Sequence, residues 1–484
     1  MDSLQAYFAG TWRDGSGPRY TTLYPADGSV VAELSACTSE DVDLTIRAAA
    51  AAQPAWAAKK AHERALVLYR MAELIRQESE SLARLQTLDN GKPLSETRAL
   101  VASAAGTLQY FAAAIETFSE TITPQRGDAL TLSRYEALGV VAAITPWNSP
   151  IASEAQKIAP ALAAGNAIVV KPAEITPRLA IELARIALAA GLPSGLLSVL
   201  PGKGSVVGEA LVRHPLVRRV AFTGGTTVGR GIARLAAEKF MPVSLELGGK
   251  SPTIVCPDAD LTQAVAGILW GIFSSSGESC IAGSRCFIHQ SVYAEVKTAL
   301  VKGAEHLRVG DPMAANTHLG PLVSDSHRNS VERYVALGLA EGGQLLCGGQ
   351  RLHSDSGGYY YAPTIFEGLA NTARLCREEV FGPVLVLIPY ADDDELIAAC
   401  NDNDYGLAAG IWTADYRRAL ALGSALHTGT VWVNTYKQFS ISTPFGGMKD
   451  SGLGREKGQA SLAEYMTQKS YYLGLSHAPN PWAN

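Results

Sequence analysis

The sequence predicts an α/β fold in which a doubly wound parallel sheet is followed by a second α/β region. Between residues 138 and 248, short apolar segments alternate with segments of helical period, a pattern typical of parallel strands covered by helices on both faces. A second strand–helix series follows residue 250. At 484 residues the chain is also too long for one simple core, so we expect more than one domain.

The N-terminal part of the chain predicts short strands followed by three helices. "YFAGTWRDGSG" and "YPADGSVVAEL" alternate β-like pieces with turns. Helical period then extends through "EDVDLTIRAAAAAQPAWAA", "AHERALVLYRMAELIRQESESLARLQTLDNG" and "SETRALVASAAGTLQYFAAAIETFS". Gly91 supplies the stop signal of the second of these helices.

The segment from residue 138 to residue 248 predicts the doubly wound sheet. The predicted strands are "GVVAAITPW", "NAIVVKPAE", "LLSVLPG", "VRRVAFTGG" and "PVSLELGG", and the predicted helices are "IASEAQKIAPALAAG", "RLAIELARIALAAG", "SVVGEALVRHP" and "TVGRGIARLAAEKF". The motifs TPWN, KPAE, FTGG and ELGG all stand at the carboxyl ends of strands, where folds of this type bind ligands. We therefore expect a binding site at this edge of the sheet.

The rest of the chain predicts a second α/β unit and a β arm. "GPVLVLIPYADDDELIAACND" and "GLAAGIWTADYRRALALGS" indicate strand–helix pairs. The tail "EYMTQKSYYLGLSH" has the pattern of a strand with exposed aromatic residues, which suits pairing with another subunit, and "TPQRGDALTLSRYEAL" is its expected companion. The expected units are residues 1–118 with 138–248, residues 249–450, and an arm of residues 119–137 with 451–484.

Composition and charge argue against several classes of protein. The chain has 41 basic and 46 acidic residues, a net charge of −5, and this balance gives no footprint for nucleic acid or an anionic membrane. Its longest apolar run, "AVAGILWGIF", is shorter than the roughly 20 residues of a membrane-spanning helix and predicts a buried helix. No secretory signal is expected. Seven scattered cysteines favour free thiols in a reducing, cytoplasmic setting, and the nine histidines make no metal motif.

Two kinds of motif in the doubly wound segment point to a nucleotide. "FTGGTTVG" and "PGKGSVVG" are loose glycine-rich turns, for which plain turn chemistry is the alternative. Backbone amides at a helix N-terminus, unobstructed by side chains, attract a pyrophosphate. In "KPAE", Lys171 and Glu174 end an apolar strand, and a solvated strand end is the alternative. A carboxylate at Glu174 suits ribose hydroxyls and opposes a 2′-phosphate.

Three further residues have the chemistry of a nucleophilic site. Cys280, in "SSSGESCIAGSR", stands among small turn-forming residues, and a thiolate nucleophile needs a lowered pKa, a partly open site and a nearby base. Glu246, in "SLELGGKSP", stands between leucines, where burial raises a carboxyl pKa and suits it to general-base work. Asn148, in "TPWNSP", lies between prolines, and its amide could polarise a carbonyl. A structural thiol, a salt bridge and an Asx-turn are the respective alternatives.

Together these motifs resemble those of the NAD(P)-dependent aldehyde dehydrogenases. The resemblance covers nearly the whole chain, in "TLDNGKP", "TPWNSP", "ALAAGNAIVVKPAE", "FTGGTTVG", "LELGGKSP", "SGESCIAGSR", "EEVFGPV", "YGLAAGIWT", "GTVWVN" and "PFGGMKDSGLGRE". "PWNSP" with "CIAGSR" resembles a bacterial branch of undefined substrate. The resemblance implies a Rossmann-like cofactor domain, a second α/β catalytic domain and a small β oligomerisation arm.

The resemblance also implies a mechanism and a set of site residues. Cys280 attacks the aldehyde, the amide of Asn148 and the backbone N–H of Cys280 hold the oxyanion, and Glu246 activates the water that releases a carboxylic acid. The hydride passes to a nicotinamide, with NAD favoured over NADP. The implied cofactor contacts are Trp147, Lys171, Glu174, Gly225, Glu379 and Phe381. The implied substrate pocket consists of Ser149, Gln156, Ser279, Ile281, Lys437, Phe439 and Phe445, with Lys437 able to steer a semialdehyde carboxylate or simply solvated.

Three positions depart from the family pattern. Gly225 replaces a serine that usually contacts phosphate, so the backbone must do more there, and Thr227 replaces a frequent glutamate. Glu278 replaces a common glutamine two residues before the thiol. A carboxylate so close opposes thiolate formation unless it is paired or turned away. We therefore predict that Glu278 tunes the reactivity of Cys280.

Two other functions compete with this interpretation. A coenzyme-A-acylating semialdehyde dehydrogenase has no need of a hydrolytic carboxylate, so Glu246 argues against it. A catalytically silent binding protein on the same fold is the second alternative, and the presence of Cys280, Glu246 and Asn148 together argues against that. The resemblance implies a homodimer or a homotetramer built through the C-terminal strand. The sequence leaves open the physiological aldehyde, the choice between these assemblies, the strictness of NAD over NADP and the role of Glu278.

Overall fold

The structure is a computed structural model and describes residues 2–123, 129–475 and 482. In chain order its strands are β1 (Asp2–Ser3), β2 (Ala6–Phe8), β3 (Thr11–Arg13), β4 (Arg19–Leu23), β5 (Val30–Ser35), β6 (Thr121–Ile122), β7 (Ala129–Ala137), β8 (Val140–Ile144), β9 (Ala167–Lys171), β10 (Leu197–Val199), β11 (Val217–Thr223), β12 (Val243–Glu246), β13 (Pro252–Val255), β14 (Arg285–His289), β15 (Gln344–Cys347), β16 (Thr364–Glu367), β17 (Val384–Tyr390), β18 (Tyr405–Gly406), β19 (Ala408–Trp412), β20 (Thr430–Val433), β21 (Met448–Lys449), β22 (Gly452–Leu453) and β23 (Met466–Gly474). Its α-helices are α1 (Ser39–Ala57), α2 (Ala61–Gln77), α3 (Ser79–Asn90), α4 (Leu94–Glu116), α5 (Pro150–Ala163), α6 (Arg178–Ala189), α7 (Glu209–Arg213), α8 (Thr226–Ala237), α9 (Leu261–Phe273), α10 (Tyr293–Glu305), α11 (Asp325–Ala340), α12 (Arg374–Arg377), α13 (Asp393–Asn401), α14 (Tyr416–Ala425) and α15 (Gly458–Ala463).

The first large sheet is the predicted doubly wound sheet. Its strand order is β10-β9-β8-β11-β12-β22, and all neighbours are parallel except β22, which pairs antiparallel with β12. Every residue of β8 and β9 is buried, as expected for strands covered on both faces. The strand order reverses between β8 and β11, which makes their carboxyl ends the point where such sheets open a binding crevice. The predicted fold class is confirmed.

One predicted helix is two helices. The periodic segment ending at Gly91 breaks at Glu78 (φ −99°, ψ 15°), so that α2 ends at Gln77 and α3 begins at Ser79. The Ser81 hydroxyl donates to the Glu78 carbonyl at 2.8 Å, and the Glu78 carboxylate pairs with Arg185. These contacts stabilise a break that no glycine or proline signals. Gly91 ends α3 in the left-handed conformation (φ 73°), as predicted.

The second large sheet lies in the region after residue 250. Its strand order is β15-β16-β17-β14-β13-β19-β20, parallel except for β15. The apolar run predicted to form a buried helix lies in α9, where Ile268, Ile272 and Phe273 are buried but Trp270 is 52% exposed. Within the described residues, none of the helices combines the length and the apolar character needed to cross a membrane.

The tail strand pairs with its predicted companion. β23 runs antiparallel to β7, from the pair Met466 and Ala137 to the pair Gly474 and Ala129, and β6 completes a three-stranded sheet with β23 at its edge. Residues 124–128 and 476–481, which the sequence analysis also assigned to the arm, lie outside the described residues. β22 pairs with β12 and α15 packs against α4 and α5. Residues 452–463 therefore contact the first sheet and its helices as well as β23 of the arm.

Candidate active site

One cavity of about 390 Å³ lies between the two large sheets. It is lined by Leu100, Ser103, Pro146, Trp147, Asn148, Ser149, Ala152, Ser153, Gln156, Thr223, Gly224, Gly225, Glu246, Leu247, Gly248, Ser279, Cys280, Ile281, Glu379, Phe381, Phe439, Phe445, Glu456 and Lys457. The first sheet contributes the residues that follow β8, β11 and β12 at its carboxyl edge. The second contributes the loops that lead into β14 and β17. The predicted catalytic residues therefore share one cavity.

Cys280 lies on a tight loop between α9 and β14. Ser275, Ser276 and Gly277 have φ values of 58°, 54° and 74°, and the loop is fixed by a hydrogen bond from the Ser275 N–H to the Glu96 carboxylate at 2.8 Å. A Cβ atom at Gly277 would lie 2.1 Å from the Gly382 carbonyl oxygen, so no larger residue fits there. These constraints hold the half-buried Cys280 side chain at the cavity wall.

The cavity disfavours the thiolate form of Cys280. Burial raises its pKa to about 12, and the carboxylates of Glu379 and Glu246 add to the increase, while Lys437 opposes it. The thiol is therefore protonated near neutral pH, and it needs a proton acceptor before it can attack a substrate. The raised pKa of Cys280 differs from the lowered pKa that the sequence analysis expected of a thiolate nucleophile.

Glu246 ends β12 with its carboxyl group buried beside the thiol. The residue is 5% exposed, and neither carboxylate oxygen has a hydrogen-bond partner in the described part of the chain. Burial and then the neighbouring Glu456 raise the pKa of Glu246 well above its ordinary value, with Lys157 opposing the shift. A carboxylate of raised basicity, free of internal partners, is suited to take a proton from a thiol or a water.

The sequence analysis did not predict the buried ion pair of Lys157 and Glu456 beside Glu246. Lys157 of α5 is fully buried, and its Nζ lies 2.5 Å from Glu456 and 2.7 Å from the Thr223 hydroxyl. Glu456 lines the cavity together with Glu246. The motifs "EAQKIAP" and "GREKG" contain these residues, but no local pattern links two positions so far apart in the chain.

Asn148 is oriented by its neighbours in space. Its Nδ2 donates to the Glu278 carbonyl oxygen at 3.1 Å, beside Cys280. The Asn90 amide donates to the Trp147 carbonyl at 3.3 Å, and Pro150 starts α5 two residues later. One amide hydrogen of Asn148 is thereby fixed, which leaves the other available to an oxygen atom in the cavity.

The Glu278 side chain is turned away from the thiol. It is 1% exposed, its Oε1 accepts from the Val323 N–H at 2.8 Å, and His327 Nε2 lies 3.7 Å away. Burial raises the pKa of Glu278 to about 8. The sequence analysis named a paired or turned-away carboxylate as the case in which Glu278 would not oppose thiolate formation, and the structure shows that case. The contact of Glu278 with Asn148 runs through its backbone carbonyl, and the tuning of Cys280 by Glu278 stays a prediction.

Four of the expected cofactor residues line the cavity, and two do not. Gly225 is the N-cap of α8, and a Cβ atom there would meet nothing within 4 Å. Glu379 accepts from the Gly249 N–H at 2.9 Å, and burial raises its pKa to about 7. Phe381 (φ 56°) and Trp147 stack edge to face, 5.2 Å between ring centroids.

Lys171, the last residue of β9, and Glu174, in the loop that follows, lie outside this cavity. Lys171 is 5% exposed, whereas Glu174 is half-buried. Burial lowers the pKa of Lys171 to about 8, and the charge of Glu174 opposes that shift. Because β9 is the neighbour of β8 in the sheet, both residues lie at the same carboxyl edge as Trp147 and Asn148.

Six of the seven expected substrate residues line the cavity, and one does not. Ser149, Gln156, Ser279, Ile281, Phe439 and Phe445 line the cavity. Lys437 does not, and its Nζ donates to the Ser274 hydroxyl at 2.7 Å. A different lysine, Lys457, lines the cavity with its Nζ 3.8 Å from the centre of the Phe439 ring. The sequence analysis missed Lys457, although it stands next to the "GRE" of a family motif.

Within the described residues, the cysteines and histidines form neither a disulfide nor a metal site. Cys37, Cys256, Cys280, Cys286, Cys347, Cys376 and Cys400 are free thiols. Across residues 2–123, 129–475 and 482, no three His, Cys, Asp or Glu side chains are grouped so that they could hold a metal ion.

The chain is similar to known proteins along nearly its whole length. The model of the "Aldehyde dehydrogenase family" matches residues 12–471. A betaine aldehyde dehydrogenase of Brucella melitensis biotype 2 (strain ATCC 23457) is 42% identical over 472 residues, 97% of this chain and 96% of its own. The NAD+ complex of a Bacillus cereus aldehyde dehydrogenase has a TM-score of 0.96 at 37% identity, covering 98% of this chain and 97% of that chain. The structure of betaine aldehyde dehydrogenase from Staphylococcus aureus in complex with NAD+ has a TM-score of 0.97 at 34% identity, covering 99% of this chain and 96% of that chain. The predicted resemblance is confirmed, and the chain belongs to the aldehyde dehydrogenase family.

Proposed function

We propose that this protein oxidises an aldehyde to a carboxylic acid with NAD as the hydride acceptor and Cys280 as the nucleophile. The observation that carries the proposal is the meeting of a thiol, an unpartnered buried carboxyl group and an oriented amide, those of Cys280, Glu246 and Asn148, in one cavity. Family membership supports the same reaction.

The cavity fits a dinucleotide at the edge of the first sheet. The N-terminus of α8 opens at Gly225, where no side chain obstructs the backbone amides, and such a helix end attracts phosphate. Lys171 and Glu174 would hold the adenosine ribose, with Glu174 favouring NAD over NADP. Glu379, Phe381 and Trp147 would contact the nicotinamide end. When bound, NAD accepts the hydride released from the substrate carbon.

The protein's own residues account for the other steps. Glu246 takes the proton of the Cys280 thiol as the sulfur bonds to the aldehyde carbon. The free amide hydrogen of Asn148 and the backbone N–H of Cys280 stabilise the oxyanion of the thiohemiacetal. After loss of hydride leaves a thioester, Glu246 first releases the thiol proton to solvent. It then takes a proton from water as the water oxygen attacks the acyl carbon, and returns that proton to the departing sulfur, which releases the acid and restores the thiol.

The nature of the product separates this reaction from its main alternative. In the coenzyme-A-acylating alternative the acyl group passes to a thiol, so that no hydrolytic base is needed. The buried, unpartnered Glu246 carboxyl therefore favours hydrolysis. Incubation with a neutral aldehyde and NAD, with and without coenzyme A, should yield free acid in both cases; an acyl-thioester product would contradict the assignment.

The thiol assignment has a matched control within the chain. We expect Cys280→Ser to abolish NADH formation from butanal, while Cys347→Ser, which changes a half-buried thiol in β15, retains it. Absence of NADH formation by the unaltered protein, with a panel of aliphatic and aromatic aldehydes and either cofactor, would favour a catalytically silent binding protein. Loss of activity in both variants would refute the nucleophile assignment.

We further propose a homodimer or a homotetramer assembled through the arm. β23 is the edge of its three-stranded sheet and is almost wholly exposed along nine residues, and such an edge offers unpaired backbone groups to another strand. In this arrangement the first sheet forms the dinucleotide domain and the second supplies the nucleophile. The free thiols support a reducing, cytoplasmic setting. Light scattering after gel filtration would test the assembly, and a monomer would refute it.

A further inference from the structure

The cavity contains a positive charge that the reaction does not use. Lys457 is 7% exposed and lines the cavity. Its backbone has φ 59° and is fixed on both sides. Glu456 exchanges two backbone hydrogen bonds with Phe445, at 2.7 and 2.8 Å, and the Gly458 N–H donates to the Ile441 carbonyl at 2.8 Å. The backbone of Lys457 is thus held at one place on the cavity wall.

The ammonium group of Lys457 lies against two aromatic rings. Its Nζ is 3.8 Å from the centroid of Phe439 and 5.5 Å from that of Phe445. These rings are 5.4 Å apart and nearly perpendicular. In the part of the chain that the structure describes, the ammonium has neither a hydrogen-bond acceptor nor a carboxylate within 4 Å. A buried charge without an ionic partner is costly, and an anion bound in the cavity would relieve that cost.

We propose that the aldehyde oxidised here carries a carboxylate at its far end, and that Lys457 binds this carboxylate. The inference rests on the proposed function, since it names the class of substrate for the same site. The two phenyl rings would contact the carbon chain between the aldehyde and the carboxylate. Lys457 is then the residue that determines specificity.

The same geometry disfavours a cationic aldehyde. A quaternary ammonium group is bound by the open faces of aromatic rings, and here the face of Phe439 is already covered by an ammonium. A second cation in this pocket would also meet like charge in a medium of low effective dielectric. The related betaine aldehyde dehydrogenases are named for a cationic substrate, and we infer that this chain has diverged from that specificity.

The charges around Lys457 leave it available to an anion. Burial lowers its pKa to about 8, and Glu456, Cys280 and Glu246 oppose that shift, so the ammonium form predominates at pH 7. A substrate carboxylate beside it would raise the pKa again. Lys437, by contrast, is tied to Ser274 and lies off the cavity.

Substrate pairs that differ in charge and only slightly in size test the proposal. We would measure kcat/KM with NAD for 4-oxobutanoate and 5-oxopentanoate against their methyl esters, and for betaine aldehyde against its uncharged isostere 3,3-dimethylbutanal. The expected preference is about tenfold or more for at least one carboxylate over its ester, and about tenfold or more for 3,3-dimethylbutanal over betaine aldehyde. Lys457→Met should remove both preferences, and Lys457→Arg should keep both. Lys437→Met is the matched control and should keep both ratios.

The outcomes separate this proposal from the reaction itself. If the unaltered protein oxidises the neutral aldehydes without preferring a carboxylate, or oxidises betaine aldehyde as well as its isostere, the specificity assigned to Lys457 is refuted and the reaction stands. If none of the aldehydes is oxidised, the reaction itself fails. Because the comparison of substrates uses the unaltered protein, it decides the question even if Lys457→Met does not fold.

Discussion

Removing the charge of Lys157 should destabilise the protein through the carboxylate that it leaves behind. The Lys157 side chain is 0% exposed and Glu456 is 5% exposed, with 2.5 Å between the charged atoms. Breaking a buried pair of this kind costs about 3–5 kcal/mol. At about 2.1 cal/mol/K per residue, the unfolding entropy of the chain is about 1 kcal/mol/K, so Lys157→Met should lower the melting temperature by about 3–5 °C. Differential scanning fluorimetry at fixed protein concentration measures this change.

Two further variants make the test specific to the pair. The double variant Lys157→Met with Glu456→Gln removes both charges, and should melt within about 2 °C of the unaltered protein because replacing a whole buried pair is often nearly neutral. Lys59→Met removes the exposed partner of Glu63, 3.5 Å away on the surface, and should change the melting temperature by less than about 1 °C. A Lys157→Met variant as stable as Lys59→Met, or a double variant less stable than Lys157→Met, would refute the reasoning.

Three more predictions concern the reaction. Glu246→Gln should reduce steady-state turnover by about 10²–10⁴-fold and also slow the first release of NADH in stopped flow, because both thiol deprotonation and hydrolysis depend on this base; full turnover would exclude Glu246. Asn148→Ala should lower kcat/KM by about 10²–10³-fold, and a loss below about threefold in the same assay would remove its amide from the oxyanion site. Because the pKa of Cys280 is raised to about 12, the thiolate fraction grows with pH, so iodoacetamide labelling of the nucleotide-free protein should quicken about tenfold per pH unit from pH 7 to 9. Mass spectrometry would measure the labelling rate, and a rate that levels off below pH 9 would contradict the raised pKa of Cys280.

The sequence predicted those parts of the fold and site that local patterns determine. Strict alternation of apolar strands and helices identified the doubly wound sheet, and strand-end motifs located Asn148 and Glu246. The break at Glu78 was missed because contacts with Arg185, in another helix, stabilise it rather than a local breaker.

Contacts between distant parts of the chain could not be predicted from local sequence patterns. Lys157 and Glu456 are 299 positions apart, so nothing near either residue indicates the pair. The direction of the Glu278 side chain depends on Val323, 45 positions away. Lys457 follows a recognisable motif, but its orientation depends on backbone bridges to Phe445 and Ile441.

Cys280 and Glu246, its proposed proton acceptor, are anchored in different halves of the molecule. Leu245 and Leu247, which flank Glu246, pack in the apolar cluster of the first sheet, whereas Cys280 packs against the cluster around Trp432 and Tyr436 in the second. Alignment for the proposed reaction therefore depends on the interface between the two halves, and local separation of packed regions can cost less free energy than global unfolding. Dilute urea should therefore inactivate the enzyme while its far-ultraviolet circular dichroism is unchanged. Loss of turnover would then report the separation of the two halves before either half unfolds.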